Sequence, residues 1–300
     1  MAMATKKALS RNAAIAVLII AVGAQIFTMC KKKTDQVPPP SGGQQQSAPQ
    51  PNSTGSIHLE MGVPSGGSGE PSYLLVRKQY ALSYNGTKNV PNWVSSNLNA
   101  SYFGATERKQ GQFMPDPELP SQFYHVRHQD YSNSGYDRGH MVRSEERTAS
   151  REDNDATFYT TNLLPQYHDL NAGPWLRLEE FCQYLAQRKN KELYIICGGI
   201  YPKNYQTIGK NSKVAVPSQC FKIVVVLQRG QGLQDVNENT TVLAAIMPNI
   251  EGIARDQWRQ YQTTVDEIER QTGYDFLTAV PEKIQKAIES RKAESLALAK

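Results

Sequence analysis

The chain has 300 residues, 39% hydrophobic and 20% charged, with 15 Tyr, 8 Phe and 4 Cys. Four cysteines so irregularly spaced exclude a disulfide scaffold and a structural zinc site. The formal charge of +5 includes six basic residues within positions 1–33, where there is no acid, so residues 34–300 hold 27 basic and 28 acidic side chains, a net of −1. The high pI is thus no argument for nucleic-acid binding, and any basic surface has to be local.

Residues 1–30 read as an export signal: Lys6, Lys7 and Arg11, an apolar run over 13–24, then the small residues Ala21, Gly23 and Ala24. This predicts a secreted or periplasmic protein. Two rival readings are lipidation of Cys30, for which Phe27-Thr28-Met29 is a poor setting, and retention as an N-terminal membrane anchor, which Gln25 interrupts. Residues 31–69, rich in Pro, Gln, Gly and Ser, read as a flexible tether, with a segment from residue 57 able to pack on the domain as a starting strand. A catalytic domain is expected over 70–285 and a helical tail over 286–300.

Within the domain, alternation over 73–84 predicts a half-buried strand, with Asn85-Gly86 as a hairpin turn and a short element after Pro91. A loop over 101–119 carries Arg108, Phe113 and Asp116, and the charged stretch 143–155 reads as an exposed loop or short helix. Leu178, Phe181, Cys182 and Leu185 have helical spacing, with Pro174 in a first turn. The apolar runs 193–200, 221–227 and 242–247 predict central strands covered on both faces. Helices are expected over 255–271, with Trp258, Tyr261, Val265 and Ile268 as the stripe, and over 282–298. Cys182, Cys197 and Cys220 read as buried free thiols. The fold class is α+β, a mainly antiparallel sheet flanked by helices.

The chemistry concentrates in Asp137-Arg138-Gly139-His140. Asp137 can hold one ring nitrogen of His140 and leave the other as a proton acceptor, Arg138 offers a planar fork for a phosphate, and Gly139 permits a sharp backbone turn. Alone, such a tetrapeptide is more often a surface turn with a local ion pair. Asn171 lies at the start of the Leu178 helix and Glu179 eight residues on, a rise of about 12 Å. Both side chains cannot reach one ion directly, so the spacing implies one amide ligand, with Glu179 holding a metal-bound water. A hard-oxygen shell of this kind suits Mg²⁺ or Mn²⁺. His140 would then be general base, with Arg138 and Arg108 clamping the phosphate. Duller roles are a helix cap for Asn171, a solvated helix position for Glu179, a surface charge for Arg108 and loop-fixing backbone bonds for Asn162. His125, His128 and His168 receive no role, and Asp153 and Asp155 read as solvated.

These residues resemble the DNA/RNA non-specific endonuclease family of the ββα-metal class, nearest to its secreted sugar-non-specific branch. The likeness rests on Asp137 to His140, Thr161-Asn162 followed by Pro165-Gln166, Asn171, Trp175 and Leu178-Glu179, and covers roughly residues 57 to 285. It implies the ββα-metal fold, His140 as base, Asn171 as the direct Mg²⁺ or Mn²⁺ ligand, Glu179 on a metal water, Arg138 and Arg108 at the phosphate, and Asp137 and Asn162 in support. It also implies cleavage of DNA and RNA to 5′-phosphate ends, and for some relatives a proteinaceous inhibitor. Where close family members carry an arginine one turn after the glutamate, this chain has Gln183. A slowed enzyme is therefore expected, with Gln183→Arg raising turnover. Two other readings are a weakly active or inactive nuclease-fold module that binds nucleic acid, and a phosphodiesterase for small diesters.

Overall fold

Strands with a strict two-residue alternation build the frame. The computed structural model describes residues 55–67 and 69–293. The export-signal reading, the tether up to residue 54 and the last seven residues of the tail lie outside the described residues.

In chain order, β1 (Ser65–Gly66), β2 (Tyr73–Val76), β3 (Ala81–Asn85) and β4 (Val90–Leu98) precede β5 (Asp137–His140). Helix α1 (Arg151–Ala156), β6 (Leu163–Gln166), the short α2 (His168–Leu170) and α3 (Leu176–Arg188) follow. Then come β7 (Lys191–Ile200), β8 (Thr207–Ile208), β9 (Val214–Ala215), β10 (Gln219–Gln228) and β11 (Thr241–Pro248), and after them α4 (Val265–Thr272), β12 (Tyr274–Asp275) and α5 (Glu282–Glu289). Six strands form one antiparallel sheet in the order β11-β10-β7-β4-β3-β2. Among the described residues no helix is long and apolar enough to cross a membrane.

Alternation gives the sheet two cores. On β10, Cys220, Val224 and Val226 enter the front core, while Phe221, Ile223, Val225 and Leu227 enter the back. Trp175 and the α3 residues Leu178, Cys182 and Leu185 close the front. Leu59, Met61, Val265, Ile268, Phe276 and Ile288 close the back. Cys182, Cys197 and Cys220 are buried free thiols, as expected. Strands β5 and β6 pair antiparallel beside the sheet and lead, through a kinked turn, into α3. That strand–strand–helix unit carries Asp137 to His140, Asn171 and Glu179.

Several expectations change. Residues 73–84 are two strands, because Arg77 N donates to Tyr80 O (3.0 Å) and turns the chain. Strand β3 is buried throughout, not half-buried, since it lies inside the sheet. The Asn85-Gly86 turn does form, its Asn85 Oδ1 accepting from Thr87 N and Lys88 N. The short element after it is the nine-residue β4, buried along its whole length although it carries Asn92, Ser95, Ser96 and Asn97. Its amides are paired internally, as Asn97 Nδ2 is to Glu192 (2.8 Å), which burial requires. The segment from residue 57 packs as a 3₁₀ turn, Ile57–Leu59, and not as a strand. In 143–155, Glu146, Arg147, Asp153 and Asn154 are buried; Asp153 is bonded to Gln79 (2.9 Å) and is not solvated.

The run 242–247 is an edge strand, and 255–271 is not one helix. A 3₁₀ turn, Trp258–Tyr261, places Trp258 in the front core, and α4 places Val265 and Ile268 in the back. Between them the chain passes across the outer edge of β11, where Gln262 bridges Ala245 and Thr263 N donates to Ala244 O (2.9 Å). One helix cannot serve both faces, so Thr264 starts a new one by accepting from Glu267 N (3.2 Å). The apolar stripe is real, but it is split by the sheet edge.

Candidate active site

In β5, Asp137 and Gly139 project to one side and Arg138 and His140 to the other. Gly139 keeps an ordinary strand conformation, so it does not supply the expected sharp turn. It supplies room: a Cβ there would collide with the buried Gln166 side chain, which donates to Cys220 Sγ (3.4 Å). The glycine lets the hairpin lie close against the sheet.

The ring of His140 packs 5.2 Å from Phe113 and edge-on to Phe158 at 5.3 Å. Its Nε2 is buried and has no hydrogen-bond partner among the described residues. Burial, together with the Arg108 and Arg143 charges, lowers its pKa to about 3, so the imidazole is neutral and can accept a proton at pH 7. Arg108 lies 5.0 Å over the Phe158 ring and donates to the Ser144 hydroxyl and to Glu145 (3.1 Å). Its loop is fastened where Lys109 N donates to Asn154 Oδ1 (2.8 Å). Arg138, on the His140 side of the strand, donates to His128 O (2.8 Å) and Ser132 Oγ (3.3 Å), leaving a buried Nε without a partner.

Asp137 does not hold His140. Residues three apart in a strand face opposite ways, and its Oδ2 instead accepts from His168 Nδ1 and Asn171 Nδ2, both at 2.9 Å. His168, which the sequence left without a role, thus joins the site. Asn171 opens a single π turn, Asn171–Trp175, before α3; Gly173 departs from helical angles there (φ −103°, ψ −120°), and Pro174 lies within the turn. The Asn171 amide nitrogen is committed to Asp137, and its oxygen accepts nothing from the described residues. This donor set fits a hard divalent cation: one neutral oxygen fixed by a carboxylate behind it. Among the described residues, no trio of His, Cys, Asp or Glu converges here that would make a closed cage.

Glu179 is not a solvated helix position. It is 5% exposed and accepts from Lys222 Nζ (3.2 Å), whose ammonium sits 4.2 Å over the Trp175 ring. Burial and the nearby Glu146 carboxyl push its pKa up, against the pull of that lysine. Gln183 Oε1 faces Arg143 Nη1 at 3.4 Å. Arg143 also pairs with Glu145 (2.9 Å), and its charge reaches both His140 and Glu179. Sequence reasoning missed Lys222 and Arg143. A lone Lys within the apolar run 221–227 was the available signal for Lys222; Arg143 gave none.

Asn162 fixes the loop below His140: its amide donates to Val142 O and Thr157 O and accepts from Val142 N, each at 2.9 Å. Next to it Thr161 donates to Asp116, which is held by Arg77 (2.8 Å). Arg108, Arg143 and His140 thus gather on one side of the hairpin, while Asp137, His168 and Asn171 gather where it meets the π turn.

Comparison with known proteins places the chain in a family. The sequence profile of the DNA/RNA non-specific endonuclease family matches residues 56–283. A protein named Nuclease from Nostoc sp. is 46% identical over 243 residues, which is 79% of this chain and 86% of that protein. The mitochondrial nuclease EXOG of Danio rerio is 30% identical over 75% of this chain and 66% of its own length, and the mouse protein of that name is matched over only 55% of its length. The crystal structure of an EndoG/EndoGI complex contains a chain that superposes with a TM-score of 0.65 at 26% identity, covering 78% of this chain and 96% of that one.

Proposed function

The chain belongs to the DNA/RNA non-specific endonuclease family, with its ββα-metal fold, and from that premise we propose that it hydrolyses DNA and RNA to 5′-phosphate ends with His140 as general base and Asn171 as the one direct protein ligand of a hydrated Mg²⁺. Mn²⁺ meets the same oxygen preference. The observation that carries the reading is His140 itself: a neutral ring clamped between two phenylalanines, with a buried Nε2 that no protein group occupies.

His140 Nε2 takes the proton of the attacking water, and Arg138 and Arg108 hold the non-bridging phosphate oxygens. Asp137 keeps the Asn171 oxygen turned outward, and Glu179, anchored at one oxygen by Lys222, has its other oxygen for a water of the ion's shell. The cation, when bound, neutralises phosphate charge and assists departure of the 3′ oxygen. All of these groups address phosphate or metal, and none reads a base, which accounts for indifference to sequence and sugar.

Arg143 changes the expectation for Gln183. A guanidinium already stands 3.4 Å from that side chain, so the cation that Gln183 lacks is supplied from the loop after β5. Gln183→Arg would bring two like charges together and is now expected to leave turnover unchanged or lower it. This also weakens the inactive-module reading, whose support was Gln183. Export from the N-terminus and capture by a proteinaceous inhibitor, the latter suggested by the EndoGI complex of the solved neighbour, remain further proposals. They are checked by intact mass of the mature chain and by pull-down with a catalytically silent variant.

Digestion of plasmid and RNA with Mg²⁺, with EDTA, and by His140→Ala tests the reading. Metal-dependent nicking that is lost in the variant is expected; undiminished cleavage by His140→Ala would overturn the role of His140, and absence of metal-dependent cleavage in the wild type would overturn the enzyme.

A further inference from the structure

On the back of the sheet, α4 and α5 bring Asp266, Glu269 and Glu289 together, with one ligand oxygen from each lying within 4.8 Å of the others. Glu289 is 5% exposed, and its Oε1 is buried without any hydrogen-bond partner among the described residues. A buried carboxylate with an unpartnered oxygen, set beside two other carboxylates, is costly unless a cation or a proton joins them.

Glu289 lies among Glu269, Asp266 and Asp275, all acidic, with the Gln285 amide beside them. The framework is also braced from both helices: Phe276 N donates to Glu269 Oε1 (2.8 Å), and Phe276 O accepts from Gln285 Nε2 (2.7 Å). One buried residue, Phe276, therefore holds an α4 carboxylate and an α5 amide in register, leaving the second oxygen of Glu269 for a ligand.

We propose that Asp266, Glu269 and Glu289 form a second divalent-cation site, of the Ca²⁺ type, that pins α5 to α4 behind the sheet. All the donors are hard carboxylate oxygens from two elements, and Asp266, exposed at the rim, gives the ion an entrance. The site shares no residue with the nuclease centre, and its role is structural: it fastens the C-terminal helix to the domain.

The test is thermal unfolding of the full chain, freed of metal and titrated with Ca²⁺ alone. Ca²⁺ is expected to raise Tm by about 5 °C at a hundredfold excess over Kd, from binding to the folded state only. Asn171→Ala should keep this shift. Glu289→Gln should lose it while remaining folded, because the substitution removes a charge from an acidic cluster. A full shift in Glu289→Gln, loss of the shift in Asn171→Ala, or no shift up to roughly 10 mM Ca²⁺, above the Kd range of weak calcium modules, would each overturn the proposal. In the last case a proton shared among the carboxylates would be what joins them.

Discussion

Two buried glutamates, one on each side of the sheet, solve the same problem differently. Glu179, at the front, has Lys222 at 3.2 Å on a neighbouring strand, whereas Glu289, at the back, faces only acids and keeps a bare oxygen. The front charge is balanced within the chain, so that region holds its shape before any ligand arrives; the back is balanced only from outside. Preorganisation is expected of the face proposed to do the chemistry, where reacting groups have to be in place in advance.

The largest effect that would sharpen this contrast is His140→Ala. Loss of a general base should cut cleavage by about 10²- to 10⁴-fold, while Tm falls only by what the lost packing on Phe113 and Phe158 costs, since Nε2 has no hydrogen bond to lose. A matching fall in Tm would show that the front face is not preorganised independently of His140. Next comes Lys222→Met. Removing one partner of a buried pair should cost about 3–5 kcal/mol, read as a lower denaturant midpoint, and adding Glu179→Gln should return much of it. No recovery in the double variant would mean that Lys222 serves packing against Trp175 and not charge balance. Arg143→Gln should lower kcat by roughly tenfold with little change in Tm, since its partner Glu145 is half-exposed. Unchanged kcat there, with a gain from Gln183→Arg, would restore the view that the cation at position 183 is missing.

The smallest effect lies at the back and depends on pH. Burial and its acidic neighbours raise Glu289 from 4.5 to about 8. A carboxyl with a raised folded pKa favours the native state while protonated, so Tm in EDTA should fall as pH rises from about 4.5 through about 8. Glu289→Gln should flatten that slope. An unchanged slope would show that Glu289 ionises without cost and that the two glutamates are not the opposites described here.

Much of this was readable in advance where local pattern and chemistry coincide. The apolar runs predict β7, β10 and β11, and Asp137 to His140 point to phosphate and metal chemistry only once the spacing of Asn171 and Glu179 is read with them. What failed was orientation. Asp137 was expected on His140 because the segment was taken as a turn; as a strand its parity sends the two apart and delivers Asp137 to Asn171. Gly139 was expected to bend the chain, yet its function is set by Gln166 across the hairpin, a neighbour that only pairing reveals. The partners of Lys222 and Arg143 are hidden for the same reason. Each acts through a partner about forty residues away, Glu179 and Gln183 respectively, and no local spacing encodes that.

The passage of residues 262–264 across the edge of β11 has a bearing on solution behaviour. A strand buried on both faces but bare along its edge would be a template for any extended peptide. Gln262 and Thr263 occupy that edge, and the opposite border of the sheet, β2, is only four residues long. Among the described residues, the main sheet thereby offers other chains no long bare edge on which fibrous self-association could begin.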